Sequence, residues 1–128
     1  MIKILLVTSE REPFAEFAEV LNKKDFMEIV WAESGQSALN ILGNNPSDLV
    51  VVNENLDDMT GIEFLKKLLP VNPMINTAAV SPLSPEEFHE ASEGLGVLMQ
   101  LPVSPSKLDA ENLLQSLNAL KNLLKPKF

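Results

Sequence analysis

The chain has 128 residues, 45% of them apolar, and a formal net charge of −8, which suits one domain of about 100–150 residues with a sizeable core. Cysteine is absent, so disulfides and thiolate metal sites are excluded and a reducing, cytoplasmic setting is expected. No apolar run reaches the roughly 18–20 residues of a membrane span, the short apolar start has no signal-peptide pattern, and the acidity argues against independent nucleic-acid binding, which needs a basic footprint.

Residues 2–7, Ile-Lys-Ile-Leu-Leu-Val, read as a buried strand that ends in the polar loop Thr8-Ser9-Glu10. Ser9 is a candidate N-cap for the first helix. Pro13 suits a first helical turn, and Phe14, Phe17, Ala18 and Leu21 recur at helical spacing, predicting a helix over about 12–24. Residues 28–32 form a short second strand with Trp31 near an edge. Ser34-Gly35 opens a second helix, which Gly43-Asn44-Asn45-Pro46 stops.

The run Leu49-Val50-Val51-Val52 is unbroken and mostly β-branched. Such a run marks a strand covered on both faces, as in a parallel sheet. It ends at Asn53, and in open parallel sheets chemistry sits beyond the carboxyl ends of strands. A third helix starts near Gly61, with Pro70 and Pro73 ending it. Residues 76–80 make a fourth strand. Ser84-Pro85-Glu86-Glu87 has the form of an N-cap, a first-turn proline and a capping-box acid, giving a short helix to residue 93. A fifth strand is expected over 97–101, and Ser104-Pro105 caps a last helix with Leu113, Leu117, Leu120 and Leu124 in one stripe. Five β-α units in strict alternation imply an α/β fold with a parallel sheet and right-handed crossovers. One domain is expected over residues 1–125, with 126–128 as a tail.

Four stretches, LLVTSE, SDLVVVNENLDDMTGIEFLKKL, AAVS and GLGVLMQLPVSPSKL, resemble the receiver domain of two-component response regulators, in the same order and over essentially the whole chain. The resemblance implies a doubly wound, flavodoxin-like, five-stranded sheet of order 2-1-3-4-5 with five helices. It implies a site at the ends of strands one, three, four and five, and a cis bond at Leu101-Pro102. In that family an aspartate after strand three takes a phosphoryl group from a histidine kinase. Two acids after strand one help hold Mg²⁺, and a hydroxyl residue and a lysine contact the phosphate.

Carried over residue by residue, Asn53 falls on the phosphoacceptor position, and Thr8 and Ser9 fall on the acidic pair. Asn55 falls where a backbone carbonyl reaches the metal, Ser81 on the hydroxyl position and Leu101 on the lysine position. Leu98 falls where many members place a switching aromatic. Only Ser81 keeps the family's side-chain chemistry. An asparagine amide is neutral and a very poor nucleophile, whereas a carboxylate oxygen attacks phosphorus. Mg²⁺ prefers carboxylate oxygens, and phosphoryl transfer needs cationic groups to offset developing charge. Metal, nucleophile and counter-charge are missing together.

The expectation is therefore a degenerate, pseudo-receiver module that is not an enzyme, is not phosphorylated, and binds other signalling proteins such as a kinase or output domain. No cofactor and no tightly bound Mg²⁺ are expected. Glu10 and Asp57 are the weak metal candidates, and Glu10 joins Thr8, Ser9, Asn55, Ser81 and Leu101 in a remnant pocket. Asp57 and Asp58 otherwise read as capping the loop before the third helix. The alternatives are a cation- or ligand-responsive regulator using that pocket, or a small enzyme on the same fold. No P-loop or dinucleotide fingerprint supports an enzyme. The single histidine, His89, with no cysteine, does not point to a transition metal. On the last helix, Leu114 and Leu123 widen the apolar arc to about half the circumference. With Leu98 they form a candidate interface, since receiver-like domains commonly dimerise through their last two helices and last strand. Neither nucleic acid nor membrane is expected as a partner.

Overall fold

The computed structural model describes residues 2–124. The apolar runs become strands β1 (Ile2–Val7), β2 (Met27–Ala32), β3 (Leu49–Val52), β4 (Asn76–Val80) and β5 (Met99–Leu101). They pair in parallel in the order β2-β1-β3-β4-β5, the doubly wound, flavodoxin-like arrangement. Helices α1 (Ala15–Asn22), α2 (Gly35–Asn44), α3 (Gly61–Val71), α4 (Pro85–Ala91) and α5 (Lys107–Leu124) alternate with them.

Alternate residues of a strand face opposite sides, and both sides here are covered. Ile4, Leu6 and Val51 pack with Phe14, Phe17, Leu113 and Leu117 under α1 and α5. Leu5, Val7, Val50 and Val52 pack with Ala38, Leu42, Phe64 and Leu68 under α2, α3 and α4. This explains why β3 is apolar throughout: it is the central strand, and all four residues are fully buried. Burying one such side chain is worth about 1.5–3 kcal/mol. Among the described residues, no helix is long and apolar enough to cross a membrane.

Helix starts follow local hydrogen-bonding chemistry. Ser34, Thr60 and Ser84 each accept from the backbone N–H three residues on, and the side chains of Ser37, Glu63 and Glu87 accept in return. These reciprocal pairs satisfy donors that a helix start would otherwise leave open.

Several boundaries differ from expectation. The first helix begins as a 3₁₀ turn over Glu12–Phe14 with Arg11 at its cap and no side-chain cap bond, so Ser9 caps nothing. Pro70 lies inside α3, one residue before its end. There it forgoes a single hydrogen bond in an exposed last turn, too little to stop the helix earlier. Helix α4 ends at Ala91, where the Ser92 hydroxyl donates to the Phe88 carbonyl. Strand β5 starts at Met99, two residues late, because Gly94 and Gly96 adopt φ of 82° and 66° and turn the chain just before it. The cap of α5 is Ser106 instead of Ser104: Ser106 and Asp109 exchange backbone-to-side-chain bonds of 2.8 and 3.2 Å. Ser104 instead turns the chain at φ 54°, and no cis peptide bond occurs among the described residues, Leu101-Pro102 included. Residues 125–128 and the side chains of Leu123 and Leu124 lie outside the described residues.

Candidate functional site

The strand ends at the carboxyl edge of the sheet are laced together beyond the strands. Thr8 N–H donates to Ala32 O, Asn53 N–H to Val7 O, and Ser81 N–H to Leu101 O, at 2.9, 2.9 and 3.0 Å. This lacing brings Thr8, Asn53, Ser81 and Leu101 to one edge, the switch region where such sheets place their chemistry.

At its centre the Asn53 amide Nδ2 donates to Thr8 Oγ1 at 3.1 Å. Asn53 Oδ1 accepts from the Glu54 N–H at 2.8 Å. The Thr8 hydroxyl is buried and donates to the Glu10 carbonyl at 2.7 Å. Each side-chain polar atom of the pair is thus engaged by the protein itself. The backbone of Asn53 is also tightly held: a Cβ on Gly61 would come within 2.5 Å of the Asn53 carbonyl oxygen, so this close approach of α3 requires glycine. The arrangement holds no nucleophile beside a base and no formal charge at its centre.

The loop after β3 is fixed from two sides. On one, Thr60 caps α3. On the other, Asp58 caps a different helix: its two carboxylate oxygens accept from the N–H groups of Gly35 and Gln36 at 2.9 Å each. These bonds, from Gln36 first and then Gly35, hold the Asp58 carboxyl below its ordinary pKa. The expectation that Asp58 caps the loop before the third helix is corrected, since its carboxylate serves the second. Met59 packs against Gly35 beside it. Asp57 is exposed.

The β4–α4 loop is held as firmly. Ser81 Oγ accepts from the Leu83 N–H at 3.2 Å. Gln100 Nε2 donates to the carbonyls of Ser81 and Leu83 at 3.2 and 2.8 Å. Leu101 is 1% exposed and belongs to the core under α1 and α5, where an aliphatic side chain is at home. Leu98 and Leu114 are half-buried against the same core.

The expected pocket is divided into shallow depressions. Asn55 and Ser81 share a cavity of about 240 Å³ with Glu54, Ile62 and Phe88. Glu10 lines a separate cleft with Glu12, Glu16 and Ser104. Arg11, next in the chain, turns outward and places its guanidinium 4.8 Å above the Trp31 ring, a cation–π contact. Among the described residues, no group of three or more His, Cys, Asp or Glu side chains is placed to hold a metal ion.

Three of these contacts escape a reading of the sequence. Gln100 has a signal, a lone polar residue in an apolar strand. The bonds from Gly35 and Gln36 to Asp58 and the contact of Arg11 with Trp31 join segments about twenty residues apart, and no local pattern announces them.

Solved structures share this fold. The Vibrio cholerae chemotaxis response regulator CheY4 is 19% identical, with a TM-score of 0.80 over 91% of this chain and 98% of that one. A two-component response regulator from Legionella pneumophila is 24% identical, with a TM-score of 0.75 over 93% and 99%. A CheY-like receiver domain protein from Methanospirillum hungatei is 19% identical, with a TM-score of 0.81 over 96% and 98%. No curated protein matches the chain by sequence. The sequence pattern of the response regulator receiver domain matches residues 4–105, and the chain therefore belongs to the response regulator receiver domain family.

Proposed function

We propose that this receiver domain is a signalling module that is not phosphorylated at Asn53 and acts through protein–protein contacts. The observation that carries the reading is the 3.1 Å bond from the Asn53 amide to Thr8 Oγ1, which joins two neutral groups where the family places a nucleophile and a metal-binding acid. The residues present do not fit Mg²⁺. The Thr8 hydroxyl is committed to Asn53 and Glu10, the Asn53 amide nitrogen is a donor, and a hard cation prefers carboxylate oxygens. Leu101 offers no charge to a phosphoryl group, and its burial suits the core.

In this reading the output depends on a fixed surface. The bonds from Gln100 to the β4–α4 loop and from Gly35 and Gln36 to Asp58 keep the loops around the site in one arrangement. The partners are other signalling proteins, a kinase or an output domain, or a second copy meeting the half-buried Leu98 and Leu114 on the β5–α5 side. The test is incubation with acetyl phosphate, or with beryllofluoride, in the presence of Mg²⁺. Intact-protein mass spectrometry is expected to show no added phosphoryl group, and amide NMR spectra to show no saturable change around Asn53. A mass gain located at Asn53 would overturn the reading.

A further inference from the structure

The two edges of the sheet are built differently. Strand β5 has three residues and stops at Pro102, which has no N–H to offer a neighbour. Strand β2 has six, in unbroken parallel register with β1. It contains no proline, lysine or bulge, the devices that ordinarily blunt an exposed edge. The bonds at its two ends show which way its backbone points. Ile2 N–H donates to Phe26 O, and Thr8 N–H donates to Ala32 O. Backbone groups of a strand point to alternate sides along the ladder. The even-numbered residues of β2 therefore face β1, and the N–H and C=O groups of Ile29 and Trp31 point away from the sheet. Among the described residues, no strand pairs with that side.

We propose that the β2 edge docks an extended, basic segment of another protein, which joins the sheet as a sixth strand. Two independent observations select that partner. The open row of backbone groups fits an extended chain, which would bind by main-chain hydrogen bonds. Charge selects a basic one. Asp25, Glu28 and Glu33 lie along this edge and are exposed, and the ion pairs among the described residues involve none of them. The nearby cations are already engaged: Lys23 with Glu19, Lys24 with Glu111, and Arg11 with the Trp31 ring. Apolar side chains at alternate positions of the segment would extend the partly buried row of Met27, Ile29 and Trp31, while its cations lie on the side of Glu28 and the exposed Val30. A second copy of β2 would bring its own acids, and each chain carries a charge of −8, so self-pairing is opposed by repulsion. The proposal does not depend on whether Asn53 is phosphorylated.

The test titrates end-capped peptides into the whole chain, followed by amide NMR. The probe is Lys-Val-Lys-Val-Lys-Val. It is expected to give saturable shifts along β2 and to slow hydrogen exchange at Ile29 and Trp31, while Glu28 and Val30, already in the β1 ladder, keep their rates. Two controls separate backbone from charge. Lys-Pro-Lys-Pro-Lys-Pro has the same charge but lacks an N–H at every second residue, and Glu-Val-Glu-Val-Glu-Val has the opposite charge. Both are expected to bind at least about tenfold more weakly, the worth of one or two hydrogen bonds. The Glu28→Lys variant, first checked for a native spectrum, is expected to bind the probe about two- to fivefold more weakly, the worth of an exposed ion pair. The proposal is overturned if the probe gives no saturable shifts on β2, if the proline peptide binds as tightly, or if Glu28→Lys leaves the affinity unchanged. It is also overturned if Ile29 and Trp31 become protected in the free chain as its concentration rises, which would assign the edge to a second copy.

Discussion

Thr8 and Thr77 are both buried, 1% and 5% exposed, at opposite ends of the same sheet. The hydroxyl of Thr8 bonds to Asn53 and Glu10, whereas that of Thr77 is buried without a hydrogen-bond partner. The carboxyl end satisfies its own polar side chains, the neutral Thr8 and Asn53, within the protein. The amino end, which the family resemblance leaves without a role, has a buried hydroxyl that is left unsatisfied. The place a fold reserves for reactivity and the place a particular sequence leaves a polar group unsatisfied need not coincide.

The severest challenge to this contrast is Leu68→Ala, which opens a cavity at the amino end and leaves the carboxyl end untouched. It is expected to lower stability by about 2–5 kcal/mol in urea denaturation, the range for deleting a buried leucine side chain. Amide shifts should stay confined to the amino-end half of the sheet. A finer test makes one substitution at both ends. Thr8→Val removes a partner from Asn53 and is expected to cost about 1 kcal/mol, the net worth of a typical hydrogen bond. Thr77→Val removes an orphan and is expected to leave stability unchanged or raise it. Equal losses at the two positions would erase the distinction. The mildest effect concerns pH. Asp58 has a lowered pKa in the folded chain, so its contribution is fully present above the ordinary aspartate value of 3.8 and is lost as pH falls through the folded value. Asp58→Asn should therefore be less stable than the parent at neutral pH, and thermal melts should show the gap narrowing as pH is lowered below that value.

Much of the fold is legible in the residues. The apolar runs at 2–7 and 49–52 announce fully covered strands, and Thr60-x-x-Glu63 and Ser84-x-x-Glu87 announce helix starts, because strand burial and capping are local in sequence. The last helix shows how two local signals compete. Ser104-Pro105 has the form of a cap followed by a first-turn proline, yet Ser106-x-x-Asp109 forms the reciprocal bonds, and the left-handed turn at Ser104 lies between them and the sheet. The fifth strand reads two residues too long at its start because Val97 and Leu98 are apolar. Nothing in their chemistry shows that the turn at Gly96 has not yet delivered them to the ladder. The candidate site is legible as a set of positions, since each falls at a strand end. Its bonding is not, because Asn53 and Thr8 are brought together only by the pairing of β3 with β1. The unpartnered hydroxyl of Thr77 is hidden for the same reason: a threonine in a strand looks ordinary until the side chains packed over it are known to offer it no partner.

The contact between Arg11 and Trp31 has a practical consequence. Trp31 is the chain's single tryptophan, and there is no tyrosine, so its near-ultraviolet emission comes from one ring. That ring lies under a guanidinium carried by the loop that also contains Thr8 and Ser9. The protein carries its own optical gauge at the rim of the site: any binding event that moves this loop changes the charge above the fluorophore, and its colour and brightness can be read without attaching a dye.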